Sequence, residues 1–389
     1  MLSKPAKLIL TFLFLINTSF SFAQTLQVQK GVALPKDTVI SIRLLGSLNG
    51  FLAQKDKENK TNSFVLKDDL PETSALLDEF KGMDYNSATK EKGFYKPYLT
   101  NLVRLSDDSF IVQLAYTGIS NNEPFLRASF RLIAKKSGDK YYFSSPLKMN
   151  TAAWKAKKVD NITYYFKTTL PIADAAAFKK KFDADNKRLK IPSQPLQLYY
   201  CNNFAEVQQL LGIDFKADYN GAENNILSSH ENGGSILVAG YADSLTRIYG
   251  HDLWHNRLHS VMAVATINRP VDEGCAYLYG GSWGLSWDTI LGMMKKYAAA
   301  NPNTDWLALY VSSQKLNDGN KPVYIAYVLN ALIVQQIENE KGFDAVLPLL
   351  SCGKRQQGDD NYFAALEKIT GINKMNFDAK MWGLVRAAK

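Results

Sequence analysis

The pattern of apolar and polar residues in the first 150 positions indicates helices first and strands afterwards. Apolar residues recur with helical spacing behind Asp37, a typical N-cap residue, up to about Leu52, and again over residues 75–80. Three later runs are rich in the β-branched and aromatic residues typical of strands: 110–116, 125–134 and 140–143. Two helices followed by an antiparallel meander predict a small α+β domain that ends near residue 150.

From about residue 152 the pattern changes to mixed strands and helices, and beyond residue 244 it is almost wholly helical. The mixed part has predicted strands at 162–166, 196–200 and 235–239, and predicted helices at 173–190 and 204–211. The predicted helices of the final part are 244–265, 271–279, 286–299, 322–340, 343–350, 361–369 and 376–387. A chain of 389 residues exceeds what one core usually organises, so we expect two α+β domains, residues 24–150 and 151–389.

The first 23 residues are typical of a secretory signal peptide. Lys4 and Lys7 provide the basic start, an apolar stretch follows, and small residues precede a predicted cleavage after Ala23, which leaves Gln24 as the mature N-terminus. The apolar stretch is shorter than the roughly 20 residues that cross a bilayer, so a membrane anchor is not expected. The sequence therefore predicts a periplasmic or extracellular protein without a transmembrane segment.

Composition narrows the classes of function. Hydrophobic residues make up 46% and charged residues 21% of the chain, which is the balance of a folded globular protein, and the net charge is +9. The densest basic run, residues 179–181, falls in a predicted helix and is typical of a solvated face, so nucleic acid is not an expected partner. Cys201, Cys275 and Cys352 lack metal-ligand spacing, and a bridge between Cys201 and Cys352 stays open.

All four histidines of the chain lie in one short window, as His230, His251, His255 and His259. Residues four apart on an α-helix are separated by about 6 Å of rise and about 40° of rotation, so His251 and His255 can face one metal ion. His259 lies about 12 Å along the helix from His251, which is too far to join both ligands. We therefore expect His259 to pack or form a hydrogen bond beside the site.

Two histidines do not complete a zinc site, because a catalytic site needs a third protein ligand and an open position for water. Pro270 favours the start of a second short helix, which places Glu273 in its first turn. A carboxylate there completes the ligand set if the two helices pack side by side. Two interpretations of the neighbouring Asp272 stay open, a helix cap or an acceptor that orients a histidine.

These two segments resemble the active-site helices of gluzincin metallopeptidases, the group within the peptidase-MA-like superfamily that contains thermolysin and aminopeptidase N. His251-x-x-x-His255 is followed eighteen residues later by Glu273-Gly-x-Ala, which is similar to the family's His-Glu-x-x-His and Asn-Glu-Gly-x-Ala-like segments. The resemblance covers roughly residues 161–389 and implies a thermolysin-like domain with a mixed β lobe and an all-helical C-terminal lobe. It also implies one zinc ion held by His251, His255 and Glu273. The order of elements in the first domain is similar to the cone-shaped nuclear-transport-factor-like fold.

The chain departs from the gluzincin pattern directly after the first histidine. The family has a glutamate there as general base, and this chain has Asp252. Aspartate carries the same acid on a stem shorter by about 1.5 Å, so it either replaces the base at a reduced rate or leaves the site without one.

The leading hypothesis is an exported zinc peptidase, a hydrolase with Asp252 as the catalytic residue and a peptide or protein as substrate. Tyr324 and Tyr327 are either structural residues or donors of a hydrogen bond to the oxyanion of the reaction. One alternative is a catalytically silent relative that binds peptide, glycan or envelope components. Another is a structural envelope protein without a metal. The sequence leaves the oligomeric state open.

Overall fold

The computed structural model describes residues 26–221, 226–231, 233–240, 250–317 and 321–388. The predicted signal peptide, residues 1–23, lies outside these described residues. Helices and sheets both contribute to the fold, which confirms the predicted α+β class. Within the described part of the chain, no helix is both long and apolar enough to cross a membrane. The chain divides into two compact units: Met1–Ala152 with Gln208–Asn224, and Ala153–Val207 with Asn225–Lys389.

The first unit contains two main helices, α1 (Thr38–Ala53) and α2 (Leu70–Phe80), and a short helix α3 (Leu147–Asn150). Helix α1 begins as predicted, because the Asp37 carboxylate accepts hydrogen bonds from the backbone N–H groups of Val39 and Ile40. The strands of this unit are β1 (Gln27–Val28), β2 (Tyr85–Asn86), β3 (Glu91–Lys92), β4 (Lys96–Ser106), β5 (Ser109–Ser120), β6 (Glu123–Ser137), β7 (Lys140–Ser144) and β11 (Ile213–Lys216).

Six of these strands form one sheet in the order β1-β4-β5-β6-β11, with β7 also paired to β6. Alternate residues of β5, namely Phe110, Val112 and Leu114, are buried, which is the period-two pattern of a strand with one face in the core. The sequence prediction placed residues 208–224 in the second domain, and the structure corrects it. Strand β11 pairs antiparallel with β6, with Ile213 opposite Phe130. Pairing satisfies the backbone of β6, but local sequence carries no information on so distant a partner.

The second unit begins with a five-stranded sheet in the order β12-β13-β10-β9-β8. Its strands are β8 (Lys155–Val159), β9 (Ile162–Phe166), β10 (Leu196–Cys201), β12 (Ile226–Glu231) and β13 (Gly234–Gly240). Strands β9, β10 and β13 are parallel, and helix α4 (Ile172–Arg188) connects the first two of them. Phe178 and Phe182 of α4 share a buried core with the sheet residues Leu198 and Leu237. Helix α5 (Phe204–Leu211) follows β10, and its residues from Gln208 onward belong to the first unit.

The rest of the second unit is helical, as predicted. Its helices are α6 (Gly250–His259), α7 (Arg269–Gly280), α8 (Trp287–Ala300), α9 (Trp306–Val311), α10 (Ile325–Lys341), α11 (Leu347–Leu350), α12 (Asp360–Thr370) and α13 (Phe377–Ala387). Helix α10 is the most deeply buried of them and supplies ten buried residues to the core. A helix buried on nearly all sides is read from sequence as one long apolar run, which is how it was predicted.

The helix predicted over residues 244–265 is shorter in the structure and ends at His259. Residues 241–249 lie outside the described part of the chain. After Met262, whose N–H still bonds to the carbonyl of Leu258, the backbone becomes extended at Ala263. β-Branched residues such as Val261 and Val264 weaken helix continuation here. The chain turns in this segment, and the turn lets α7 pack against α6.

Two glycines of α7 allow its neighbours to approach closely. A Cβ atom on Gly274 would lie 2.7 Å from the Cβ of Asn330 and 2.8 Å from the backbone nitrogen of Ala331, both on α10. A Cβ atom on Gly280 would lie 1.9 Å from the backbone nitrogen of His251 on α6. Only glycine fits at such separations, so α7 is held between α6 and α10 at a fixed depth.

Candidate metal centre

Three side chains from the two packed helices converge on one point. His251 and His255 come from α6, and their Nε2 atoms are 3.2 Å apart. The Oε2 atom of Glu273, from the first turns of α7, lies 3.5 Å from Nε2 of His251 and 4.0 Å from Nε2 of His255. A tetrahedral ion with bonds of about 2.0–2.1 Å separates its ligand atoms by about 3.3 Å. The donor set and its spacing therefore fit one zinc ion.

The three side chains are largely buried, but each remains accessible to solvent. The exposed fractions are 17% for His251, 21% for His255 and 14% for Glu273. Two imidazoles and one carboxylate form the set typical of catalytic zinc, in which a fourth position stays open to water. Accessible ligands suit such a site better than a closed structural site.

Asp272 orients His255. Nδ1 of His255 donates to both carboxylate oxygens of Asp272, at 2.9 and 3.0 Å, so Nε2 is the nitrogen left for a metal. Nε1 of Trp254 also donates to Asp272 at 3.0 Å, which holds the carboxylate in place. The N-cap of α7 is Asn268, so of the two sequence-based interpretations of Asp272 the structure favours the acceptor.

A backbone carbonyl orients His251. Nδ1 of His251 donates to the carbonyl oxygen of Gly281 at 2.9 Å, which again leaves Nε2 for a metal. Gly281 has a φ of 72°, and a Cβ atom there would lie 2.1 Å from the carbonyl oxygen of Leu285. The sequence analysis missed this residue. The Gly280-Gly281 pair at the end of a predicted helix is the local feature that indicates a glycine-dependent helix end.

The pKa values of the two histidines shift in opposite directions because their surroundings differ. Burial and the positive charge of His255 lower the pKa of His251. Burial also opposes the charged form of His255, but the hydrogen bond and charge of Asp272 outweigh it and raise the pKa of His255. Burial raises the pKa of Asp272, yet the hydrogen bond from His255 and the charges of His255 and His259 bring it well below its usual range. Asp272 is therefore a carboxylate, and its negative charge makes Nε2 of His255 a stronger ligand for a metal.

The remaining histidines lie beside the site or away from it. The ring of His259 stacks on His255 with centroids 6.0 Å apart, and its Nε2 is 3.9 Å from Asp272. His255, His259 and Asp272 thus form a second possible ligand group, but Nδ1 of His255 is already bonded to Asp272 within it. His230 lies on β12, where Nδ1 contacts the hydroxyl of Ser235 at 2.8 Å.

Three further groups influence or lie near the candidate metal ligands. The negative charge of Asp252 raises the pKa of both His251 and His255, although burial is the largest influence on each and lowers it. The ring of Tyr277 is 5.8 Å from His251 and 5.6 Å from the ring of Tyr327. Nε of Arg269 lies 3.5 Å from Oε1 of Glu273, the carboxylate oxygen that faces away from the histidines. Sequence analysis did not single out Arg269, although its spacing of four from Glu273 is a typical helical ion pair.

None of the three cysteines belongs to the candidate ligand groups. Cys201, Cys275 and Cys352 are all free, so the possible bridge between Cys201 and Cys352 is not formed. The four residues predicted to form the site, His251, Asp252, His255 and Glu273, all belong to the second unit.

No protein-family model and no curated protein sequence matches this chain. The functional argument therefore depends on the geometry of the site itself.

Proposed function

We propose that this protein is an exported zinc-dependent peptidase that hydrolyses peptide bonds at the site formed by His251, His255 and Glu273. The observation that carries this proposal is the convergence of three zinc-type ligand atoms, with each histidine oriented by its own acceptor. Zinc bound there would supply a Lewis acid that polarises a peptide carbonyl and acidifies a water molecule. The likeness of both helices to those of gluzincin peptidases supports the same assignment.

The residues around the ligands supply the other parts of such a reaction. Asp252 accepts the proton of the attacking water and returns it to the leaving amine. Burial and the charge of Glu273 raise the pKa of Tyr327, so its phenol keeps its proton at neutral pH. A protonated phenol can donate a hydrogen bond to the oxyanion that forms at the scissile carbon. Asp272 and the carbonyl of Gly281 keep the two histidines in the orientation that faces the metal.

A second candidate function is a catalytically silent protein of the same architecture that binds peptide, glycan or envelope components. The observation that favours it is Asp252, whose side chain is shorter by one C–C bond than that of the glutamate in the gluzincin pattern. In this case the zinc has a structural role only. The two functions differ in one measurable property, the turnover of a zinc-loaded protein.

Zinc stoichiometry tests the metal assignment. The mature chain from Gln24 onward is purified, freed of loosely bound metal and measured by elemental analysis, with an expected content of about one zinc per chain. His255→Ala should reduce this content to background because it removes a ligand. His259→Ala is the matched control, since it removes a neighbouring histidine of the same helix and should leave the content unchanged. Equal zinc in wild type and His255→Ala would refute the assignment.

Hydrolysis of an unstructured, fluorescently labelled protein separates the two candidate functions. In the zinc-loaded enzyme, Asp252→Glu should raise the rate by extending the base, and Asp252→Asn should lower it by about 10²–10⁴-fold. Chelation and re-addition of zinc provide the control for contaminating proteases. A protein that holds zinc but shows no turnover in wild type or Asp252→Glu is the silent binder instead.

A further inference from the structure

Arg269 is an exposed cation placed directly beside the metal ligands. It is the first residue of α7, one helical turn before Glu273, and 77% of its side chain is accessible to solvent. Its Nε lies 3.5 Å from Oε1 of Glu273, while Oε2 of the same carboxylate lies 3.5 Å from Nε2 of His251. One carboxylate therefore separates the guanidinium from the metal-facing nitrogens.

The ion pair with Glu273 uses only part of the hydrogen-bonding capacity of Arg269. It joins Nε of Arg269 to a single carboxylate oxygen, Oε1. A guanidinium carries five N–H donors in a planar fork, and the fork matches a carboxylate with two parallel hydrogen bonds. Because 77% of the side chain is exposed, the remaining donors of the fork are accessible to solvent.

The charges of the site favour a cation at its rim for the binding of an anionic substrate. Asp272 and Glu273 place two carboxylates beside the histidines, and Asp252 follows His251 directly in the sequence. These carboxylates repel a substrate carboxylate near the scissile bond, and a cation at the rim reduces that repulsion. Arg269 is such a cation at the rim of the site, and it keeps its charge at every physiological pH.

We infer that Arg269 is a specificity-determining residue that binds a carboxylate of the substrate within one or two residues of the bond that is cleaved. The inference rests on the proposed peptidase function and gives it a substrate class. Consecutive Cα atoms are about 3.8 Å apart, so a carboxylate on Arg269 belongs to a residue very close to the carbonyl at the histidines. A free peptide C-terminus and an Asp or Glu side chain share this chemistry.

Binding of three dansyl-labelled peptides, followed by fluorescence anisotropy, tests the inference without relying on turnover. The probes are dansyl-Ala-Phe with a free carboxylate, the same peptide as its C-terminal amide, and dansyl-Ala-Asp amide. Each is titrated with the mature chain in zinc-free and zinc-loaded form. We expect at least one carboxylate probe to bind about tenfold more tightly than the neutral amide in both forms.

The variants are Arg269→Gln, Arg269→Lys and the matched control Arg386→Gln, which removes an exposed arginine elsewhere in the second unit. Arg269→Gln should abolish the preference for carboxylate, Arg269→Lys should keep part of it, and Arg386→Gln should keep all of it. Zinc content should equal that of wild type in all three. Preference for the first probe assigns the carboxylate to the C-terminus, and preference for the third assigns it to an acidic side chain.

Three results would overturn the inference. They are equal binding of charged and neutral probes by wild type, a carboxylate preference that survives Arg269→Gln, and a loss of zinc in Arg269→Gln. The last of these makes Arg269 a residue that only positions Glu273. If wild type binds no zinc, the proposed peptidase function fails, while the zinc-free titration still decides whether Arg269 binds carboxylates.

Discussion

Helix α6 carries polar groups on two faces, and the protein surrounds the two faces differently. One face carries the candidate metal ligands and is called the metal face; on it, His251 and His255 are accessible to solvent, and each Nδ1 has a close acceptor. On the opposite face, Arg257 is only 1% exposed, and its guanidinium lies over the ring of Phe182 at 4.6 Å. Nε of Arg257 donates to Asn186 at 2.8 Å, but Nη1 has no hydrogen-bond partner among the described residues.

The buried side of α6 that carries Arg257 is called the closed face. Asp185 of α4 lies on the same buried side and is as buried as Arg257. Its Oδ2 atom also has no hydrogen-bond partner within the described structure. Burial raises the pKa of Asp185 to about 7, although the charges of Arg188, Lys181 and Arg257 lower it. Burial likewise lowers the pKa of Arg257 to about 10.

The two faces of α6 therefore have different structural roles. The metal face keeps the histidine nitrogens oriented and accessible to solvent, which is what the proposed metal site requires. The closed face attaches the helix to α4 through groups that water does not reach, at a cost in desolvation. Attachment on one face allows precise positioning on the other, and the following predictions test the two faces separately.

The largest effect is expected for Gly280→Ala, which acts on the metal face. The added Cβ would lie 1.9 Å from the backbone nitrogen of His251, and backbone atoms have little freedom to move. We expect a loss of about 3 kcal/mol or more in the free energy of unfolding, together with weaker zinc binding. Chemical denaturation and zinc titration measure both.

Gly292→Ala is the matched control, because Gly292 lies inside α8 and a Cβ atom there meets nothing within 4 Å. Alanine is favoured over glycine in a helix, so this variant should gain about 0.5–1 kcal/mol in the free energy of unfolding. Equal behaviour of the two variants would show that α6 and α7 are not in the close contact described.

An intermediate effect is expected on the closed face, as a dependence of stability on pH. A carboxyl whose pKa rises on folding stabilises the protein below its unfolded pKa, near 3.8 for Asp185, and loses this contribution as pH rises through about 7. Relative to Asp185→Asn, the unfolding free energy of wild type should therefore fall by roughly 2–4 kcal/mol between about pH 4 and pH 7.

Urea unfolding of both proteins at several pH values, with chelator present to exclude metal, measures this difference. A difference that stays constant across the range would mean that Asp185 is ionised throughout. The closed face would then contain an ordinary ion pair with Arg257.

The smallest effect is expected for Asp272→Asn, which weakens the orientation of one histidine without removing a ligand. An amide can still accept a hydrogen bond from Nδ1 of His255, but it lacks the negative charge that makes this histidine a stronger metal ligand. Zinc affinity should fall by about 10–100-fold, as measured by competition with a chromogenic chelator. Unchanged affinity would show that the carboxylate of Asp272 contributes nothing beyond a neutral acceptor such as the Gly281 carbonyl.

Local sequence was sufficient to predict the helices and strands that are specified by their own residues. Helical periodicity and the Asp37 cap predicted α1, and runs of β-branched and aromatic residues predicted β5 and β6. It failed where the pattern is weak or short. Strands β8 and β12 and helix α9 were not predicted, because edge strands and short helices take their stability from neighbours. Strand β4, which lies between β1 and β5, was also not predicted. The cone-like form of the first unit stays a prediction.

The sequence by itself determined that two histidines share one helix face and that a glutamate follows on another helix, because both depend on residue spacing along single helices. Only the tertiary structure decided that Asp272 and the carbonyl of Gly281 orient those histidines, and that Arg269 lies at the rim. It also decided that β11 joins the first sheet. The contacts of the two histidines and of β11 join residues far apart in the chain, and packing between elements, which spacing along one element does not encode, brings them together. Arg269 is only four residues from Glu273, but its place at the rim depends on how α7 packs against α6.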